Sequence, residues 1–323
     1  MNEIITFALE QAYPYKTTKS IYNIITGKKS HQTLFDACSQ RLMSLYHVMP
    51  NLKYPSFERI LAEKGKDSNY QTDVILQSKF TYDSMVHTFK ALQLMTQTIS
   101  FHLNGTYQFF PITEHKDIQQ RVKILFHKIK EEALIEHYIL ELEQLFSALS
   151  ESSLKNVLHY YLIGYEESMY TSHQVSLIED IPLEQLKIYE FNELIQLVST
   201  INNPDKYPLL SQLVMLPTLS RNTYKTYKLL KHKKTFQDIA AYQNIKLSTL
   251  EDHVLELFIK GYFTDYLHFV TYDNMTHFIS FYNDNKHLRL KMFKEKFSSL
   301  TYFQIKLMIV GIERGDLRVT SSA

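Results

Sequence analysis

The chain has 323 residues, with 35 Lys and Arg against 34 Asp and Glu, so its formal net charge is +1. This length favours two or three domains, each large enough to bury a core. Only seven glycines and eight prolines are present, which argues against an all-β sandwich and against a glycine-dependent nucleotide-binding fold. We therefore predict an all-α protein, in which any nucleic-acid surface has to come from local clusters of basic side chains.

The cysteine count and the hydropathy pattern indicate a compartment. Cys38 is the only cysteine of the sequence, which excludes an internal disulfide framework and a cysteine-rich zinc module. The first residues include Glu3 and Glu10 and no basic segment, so they do not resemble a secretory signal. No uninterrupted apolar run approaches the roughly 18 residues that a membrane-spanning helix needs. We expect a cytoplasmic protein without a membrane partner.

A basic turn interrupts the first helical patterns of the chain. Lys28 and Lys29 lie between a short helix, which Gly27 ends, and a longer helix that begins near Thr33. Lysines beside the amides of a helix start favour phosphate, so this turn is a second, weaker helix-turn-helix candidate. The alternative is a surface loop between two core helices.

Apolar residues at helical spacing predict four further helices in the first two thirds of the chain. They cover residues 82–103, 116–149, 153–165 and 184–201, and the second of them is the longest. Prolines then break the pattern at Pro204, Pro208 and Pro217. We predict a helical N-terminal domain over 1–201, a linker over 202–220 and a helix-turn-helix domain over 221–320.

The stretch 235–261 carries two helix starts and one helix stop in register. Thr235 with Asp238, and Ser248 with Glu251, both fit the capping box, in which the cap hydroxyl and the carboxylate three residues on satisfy first-turn amides. Gly261 supplies the left-handed residue that ends the second helix. The inward faces are predicted to carry Ile239, Ala240, Leu250, Val254, Leu257 and Phe258. The following segment 262–267 fits either an extended wing or a one-turn connection.

A run of basic residues precedes this motif and contains no acidic residue. Lysines three residues apart share one side of a helix, with tyrosines 224 and 227 interleaved. Lysines that neutralise phosphates release counterions, so binding through them is strongly salt-dependent. The candidate DNA contacts of the run are Lys225, Lys228, Lys231, Lys233 and Lys234.

The second helix of the motif gives a mixed signal for DNA binding. Its candidate contacts are Lys246, Ser248, Thr249 and His253, because a recognition helix reads DNA with its N-terminal residues. The same helix carries Glu251, Asp252 and Glu256, and carboxylates facing phosphate argue against sequence-specific reading of the major groove. For His253, both a packing role and a nucleic-acid contact fit the sequence.

Motifs for catalysis or for a cofactor are not found. The sequence Gly27-Lys28-Lys29-Ser30 differs from a phosphate-binding loop, because Tyr22 stands where the loop needs a glycine and an extra lysine intervenes. Paired-cysteine, His-Glu-x-x-His and Gly-x-Ser-x-Gly signatures are also missing from the sequence. We predict a protein without catalytic residues, metal or cofactor.

Three short sequences of the helix-turn-helix region resemble a known domain. The sequences Asp238-Ile239-Ala240, Leu247-Ser248-Thr249-Leu250-Glu251-Asp252-His253 and Gly261-Tyr262-Phe263 are similar to the helix-turn-helix domain at the C-termini of some RecQ-type DNA helicases. Together with the basic turn at Lys28 and Lys29, the whole chain resembles the YpbB family, free-standing proteins linked to a RecQ-type helicase in low-GC Gram-positive bacteria. The resemblance implies a role in DNA metabolism.

These signals combine into one leading hypothesis and two alternatives. The leading hypothesis is a non-enzymatic accessory protein that binds the DNA backbone and works with a RecQ-type helicase in repair or recombination. Its N-terminal helices would then contact the helicase, and duplex, forked and single-stranded DNA are all compatible ligands. The alternatives are a transcription regulator, and a protein-interaction module that binds the helicase without touching DNA.

Overall fold

The structure is a computed structural model that describes residues 2–62, 74–151, 155–232 and 234–318, without the side chains of Asn2 and of residues 272–274. Over these ranges the chain forms fifteen α-helices and no strand, which confirms the predicted all-α class. In chain order the helices are α1 (Asn2–Gln11), α2 (Thr18–Ile25), α3 (His31–Ser39), α4 (Tyr54–Ala62), α5 (Tyr82–Leu103), α6 (Lys116–Glu131), α7 (Ile135–Glu151), α8 (Ser172–Ile178), α9 (Leu183–Ile201), α10 (Arg221–Lys231), α11 (Phe236–Gln243), α12 (Leu247–Ile259), α13 (Tyr272–Asp284), α14 (Leu290–Lys296) and α15 (Tyr302–Arg314).

The helices divide into two compact units that do not follow the chain order. The described residues of 74–75 and 83–215 form one unit, here called the central unit. Those of 2–64, 76–82 and 216–323 form the other, here called the terminal unit. This grouping differs from the division expected from sequence, because α1 to α4 pack with the helix-turn-helix region rather than with α5 to α9. The proline pattern marks where helices end and carries no information about which helices pack together.

The central unit is built around α5, which has the predicted bounds. Buried Met85, Leu92, Met95 and Ile99 of this helix are part of its core, as their spacing predicts. The Glu141 carboxylate is also buried, and it accepts hydrogen bonds from the amides of Leu209 and Leu210 at 2.9–3.1 Å. Part of the segment predicted as a linker is therefore packed structure.

Two sequence predictions for the central unit are wrong in detail. The long helix expected over 116–149 is two helices, α6 and α7, because Ala133 takes a left-handed conformation with φ of 53°. The apolar spacing continues across this break, so nothing in the pattern marks it. For the helix expected over 153–165, the structure has a 3-10 turn at Leu158–Tyr161, while residues 152–154 lie outside the described ranges.

A buried carboxylate of the last helix of the terminal unit pairs with cations from other segments of that unit. The Glu313 carboxylate of α15 lies 2.6 Å from Arg41 Nε and 3.0 Å from Lys286 Nζ. Both cations come from other segments of the unit, so this acidic group joins residues far apart in sequence. In the segment 262–267 and just beyond, the structure has a 3-10 turn at Tyr266–His268, which matches the one-turn alternative rather than an extended wing.

Candidate nucleic-acid interface

Helix α10 has small polar side chains on its inner side and basic side chains on its outer side. Ser220 caps it, with the hydroxyl accepting a hydrogen bond from the Thr223 amide at 3.2 Å. Thr223 and Thr226 are buried against the rest of the unit, and small hydroxyl side chains allow α10 to approach its neighbour closely. The exposed outer positions are Arg221, Asn222, Tyr224, Lys225, Lys228 and Lys231. The predicted lysine spacing therefore places three ammonium groups on one side of a helix.

Helix α10 runs antiparallel to α12. Two hydrogen bonds fix this register: Thr223 Oγ1 donates to Glu256 Oε2 at 2.6 Å, and Thr226 Oγ1 lies 2.8 Å from His253 Nδ1. Further along α10, Leu229 and Leu230 pack against the cluster of Ile239, Ala240 and Leu250. The C-terminal end of α10 thus lies beside the N-terminal end of α12. This arrangement brings the last lysines of α10 to the same end of the helix pair as Lys246 and Ser248.

The first helix of the motif begins as predicted, and the second does not. Thr235 and Asp238 form a capping box at α11, with Thr235 Oγ1 accepting the Asp238 amide at 3.2 Å. The capping box expected at Ser248 is wrong, because α12 begins at Leu247, two residues earlier than a cap at Ser248 implies, with Lys246 in the cap position and no capping side chain. The first amides of α12 therefore lack a side-chain cap, and Ser248 and Thr249 lie within its first turn. The stop at Gly261 is confirmed by its φ of 77°.

We call the lysines that lie around this end of the helix pair the basic face. Its members are Lys225, Lys228, Lys231, Lys234 and Lys246, all of them exposed. In the part of the chain that the structure describes, no ion pair within 4.0 Å involves any of them. The Lys228 and Lys231 ammonium groups lie over the rings of Tyr224 and Tyr227, 4.6 and 4.7 Å from their centroids. Lys233, also predicted as a contact, lies outside the described residues.

The carboxylate of Asp238 lies near the basic face. Asp238 is exposed, and its pKa is lowered by hydrogen bonds from the Thr235 hydroxyl and amide, with a smaller contribution from the charge of Lys234. Its carboxylate is thus already engaged by the cap of α11. We infer that Lys234 is partly compensated by this neighbour, whereas the lysines of α10 itself are not.

His253 lies inside the terminal unit rather than on its exposed surface. Only 4% of it is exposed, and burial, followed by the adjacent His31 ring, lowers its pKa. A buried, neutral imidazole cannot contact a phosphate, so the predicted nucleic-acid role does not fit its position. The packing alternative fits, because the ring meets the inner side of α10 through Thr226.

Glu256 also points inward, which removes one objection to DNA binding. Its carboxylate accepts hydrogen bonds from Lys260 Nζ at 2.6 Å, from the Thr223 hydroxyl at 2.6 Å and from the Ser220 amide at 3.0 Å. Burial acts to raise the pKa of Glu256, but the charge of Lys260 and these hydrogen bonds outweigh it, so the net shift is downward. The carboxylate is therefore ionised and compensated within the protein.

The basic turn near the start of the chain reaches the same pair of helices. Lys28 and Lys29 are exposed, and Ser30 caps α3 through the Thr33 amide. The next residue, His31, lies with its ring 5.6 Å from that of His253 and its Nδ1 3.7 Å from Glu256 Oε2. Since Lys29 is two residues from this contact, the turn belongs to the neighbourhood of α10 and α12.

Helix α12 is enclosed for most of its length. It contacts α3, α10, α11 and α15, and its residues from His253 to Ile259 are all buried. Only the first turn and a half, with exposed Lys246 and Ser248 and partly exposed Thr249, is accessible. A helix enclosed in this way cannot lie along a major groove, in which a recognition helix needs a free outer side.

Sequence reasoning missed the partners that neutralise Glu256 of α12. Lys260 follows Glu256 by four residues on one helix, a spacing that favours an ion pair, and this signal was available. The two threonines on the inner side of an otherwise basic α10 were a second signal of polar contacts. No signal in the sequence indicated the packing of α3 against α12, because this contact joins segments more than 200 residues apart.

Across the described ranges, no helix is long and apolar enough to cross a membrane. The family described as a helix-turn-helix domain matches residues 222–309. The chain is also similar to protein YpbB of Bacillus subtilis (strain 168), with 22% identity over 227 residues that cover 68% of this chain and 64% of that protein. It thus spans less than two thirds of the relative's length. No solved structure matches.

Both comparisons agree with the resemblance carried by the motif words. The matched range begins inside α10, on which three of the five lysines of the basic face lie, and it includes α11 and α12. Helix-turn-helix domains are a common means by which proteins bind DNA. The chain therefore contains a helix-turn-helix domain in its C-terminal part, and over much of its length it is similar to protein YpbB.

Proposed function

We propose that this protein is a non-enzymatic DNA-binding accessory factor that works with a RecQ-type helicase in DNA repair or recombination. The observation that supports DNA binding is the basic face, whose exposed lysines have no ion-pair partner among the described residues. Phosphates attract such ammonium groups. When lysines neutralise phosphates, counterions are released from the DNA, and this release supplies most of the affinity in non-specific binding. The proposal that the protein works with a RecQ-type helicase rests on the family resemblance.

The start of α12 supports the same role. Lys246 places a positive charge beside helix amides that no side chain caps, and the positive end of a helix dipole favours an anion. Lys28 and Lys29 add charge from a second segment of the terminal unit. We infer a backbone-binding surface formed by the basic face and this turn, rather than a helix that reads base edges.

Titration of the purified protein against duplex, forked and single-stranded DNA at rising salt tests this function. If the α10 lysines and Lys246 each neutralise one phosphate, the slope of log K against log salt is about −3.6 for duplex DNA and about −2.8 for a single strand. An affinity that does not change with salt, or no binding at low salt, would contradict DNA binding.

The central unit offers a surface for the protein partner. The buried Gln97 side chain fixes the loop after α5, since its Nε2 donates to the Phe110 carbonyl at 3.1 Å and its Oε1 accepts the Ile112 amide at 3.2 Å. The loop holds the Phe110 side chain 95% exposed, and Tyr107 of the same loop and Leu103 at the end of α5 are also exposed. A fixed, solvated phenylalanine is typical of an anchor residue at a protein interface.

Replacing Phe110 by Ser is expected to weaken binding to the helicase without affecting DNA binding. Anchor residues of this kind contribute about 2 kcal/mol or more, so the dissociation constant should rise about thirtyfold. Calorimetry with the purified RecQ-type helicase measures this change. The matched control is Ile124→Ser, which replaces an exposed apolar residue of α6 in the same unit. Equal affinity of the two variants would place the helicase contact elsewhere.

A further inference from the structure

The enclosure of α12 limits the form of nucleic acid that this domain can hold. In a duplex, base edges are reached through the grooves, and the major groove admits a whole helix only if the outer side of that helix is free. Here α3 occupies one side of α12, with His31 against His253 and Glu256, and α10, α11 and α15 contact it as well. The accessible elements are the outer side of α10 and the start of α12.

An aromatic ring lies within the lysine row of α10. Tyr224 precedes Lys228 by one helical turn and is next to Lys225, and it is 48% exposed. The Lys228 ammonium lies 4.6 Å from the ring centroid, which helps to hold the ring in place. Lysines for the phosphates and an exposed ring between them are the two components by which proteins bind unpaired strands. In a duplex the bases are stacked on each other and cannot use such a ring.

We propose that the outer side of α10 binds single-stranded nucleic acid, with Lys225, Lys228 and Lys231 at the phosphates and a base stacked on Tyr224. This inference rests on the proposed function and specifies its ligand. Stacking on a tyrosine needs only the flat face of a base, so binding is independent of base sequence. DNA and RNA strands share this chemistry.

Binding of the full chain to a fluorescent 15-nucleotide oligo-dT and to a duplex of equal length tests the proposal. Tyr224→Ala should weaken binding to the single strand about tenfold and binding to the duplex less than twofold, whereas Tyr224→Phe, which keeps the ring, should bind like the parent protein. The matched control is Tyr165→Ala, since Tyr165 is 43% exposed but lies in the central unit next to two carboxylates, Glu166 and Glu167. Thermal unfolding checks that each variant is folded.

The possible outcomes distinguish failure of base stacking on Tyr224 from failure of the proposed DNA binding. Equal loss on single strand and duplex, or no loss with Tyr224→Ala, overturns the stacking role, and DNA binding then stands if replacement of the α10 lysines still removes it. Absence of binding to either ligand overturns both. Parallel titration with oligo-rU of the same length decides between a DNA and an RNA strand, and tighter binding of either strand than of the duplex supports the proposal.

Discussion

Replacing Lys225, Lys228 and Lys231 together by Gln is expected to lower the affinity for duplex DNA by two to three orders of magnitude at about 0.1 M salt. Each neutralised phosphate contributes about 0.9 to the slope of log K against log salt, so the slope should decrease in magnitude by about 2.7. All three side chains are exposed and make no ion pair with the described residues, so their loss should leave the fold intact. Fluorescence anisotropy over a salt series measures both quantities.

The control variant has the same change in net charge, but the charges are removed from another helix. Lys116, Lys123 and Lys128 are exposed on α6 of the central unit, and their replacement by Gln removes the same three charges. We expect the control to bind DNA within about threefold of the parent protein. Similar losses in both variants would mean that overall charge, and not the basic face, is responsible for binding.

Replacing Glu256 by Gln is expected to destabilise the terminal unit by about 3–5 kcal/mol. The substitution leaves the Lys260 ammonium, which is largely buried, without its carboxylate, and an uncompensated buried charge is costly. Denaturant unfolding measures the change in the free energy of unfolding. Because the pKa of Glu256 is lowered in the folded state, its contribution is present above the unfolded value near 4.3 and is lost as the pH falls through the folded value. The difference between the two proteins should therefore shrink in acid.

The same chain offers a matched pair on its surface. Lys291 and Glu295 on α14 are also four residues apart, but both are exposed. Glu295→Gln should change the free energy of unfolding by less than about 1 kcal/mol, since exposed ion pairs contribute little. In the buried pair, the double change Glu256→Leu with Lys260→Met should recover part of the loss, because it removes both charges. If Glu256→Gln has no larger effect than Glu295→Gln, the buried network does not hold the domain together.

Much of the local structure could be predicted from the sequence because it depends on neighbouring residues. The capping box at Thr235, the end of α12 at Gly261 and the bounds of α5 and α15 follow from caps, glycine and apolar spacing. The lysine row of α10 was predictable for the same reason, since residues three apart share one side of a helix.

The rest depends on contacts that no local pattern encodes. Whether Glu256 faces DNA or the protein interior is decided by α10 and α3, which lie far from it in sequence. His253 is buried by the same packing, whereas the sequence alone left both a packing role and a nucleic-acid contact open for it. The start of α12 was misplaced by two residues because Ser248 is a good cap, whereas the backbone at Lys246 already has the cap conformation.

Lysine acetylation with and without DNA, followed by mass spectrometry, tests the central claim most directly. Acetylation is slowed where DNA covers an ammonium group, so each lysine reports its own environment. If DNA lies on the basic face, Lys225, Lys228 and Lys231 on α10 will be protected, and the reactivity of Lys123 and Lys128 on α6 will be unchanged. Unchanged reactivity along α10 in the presence of bound DNA, or protection on α6 instead, would contradict this placement of the DNA.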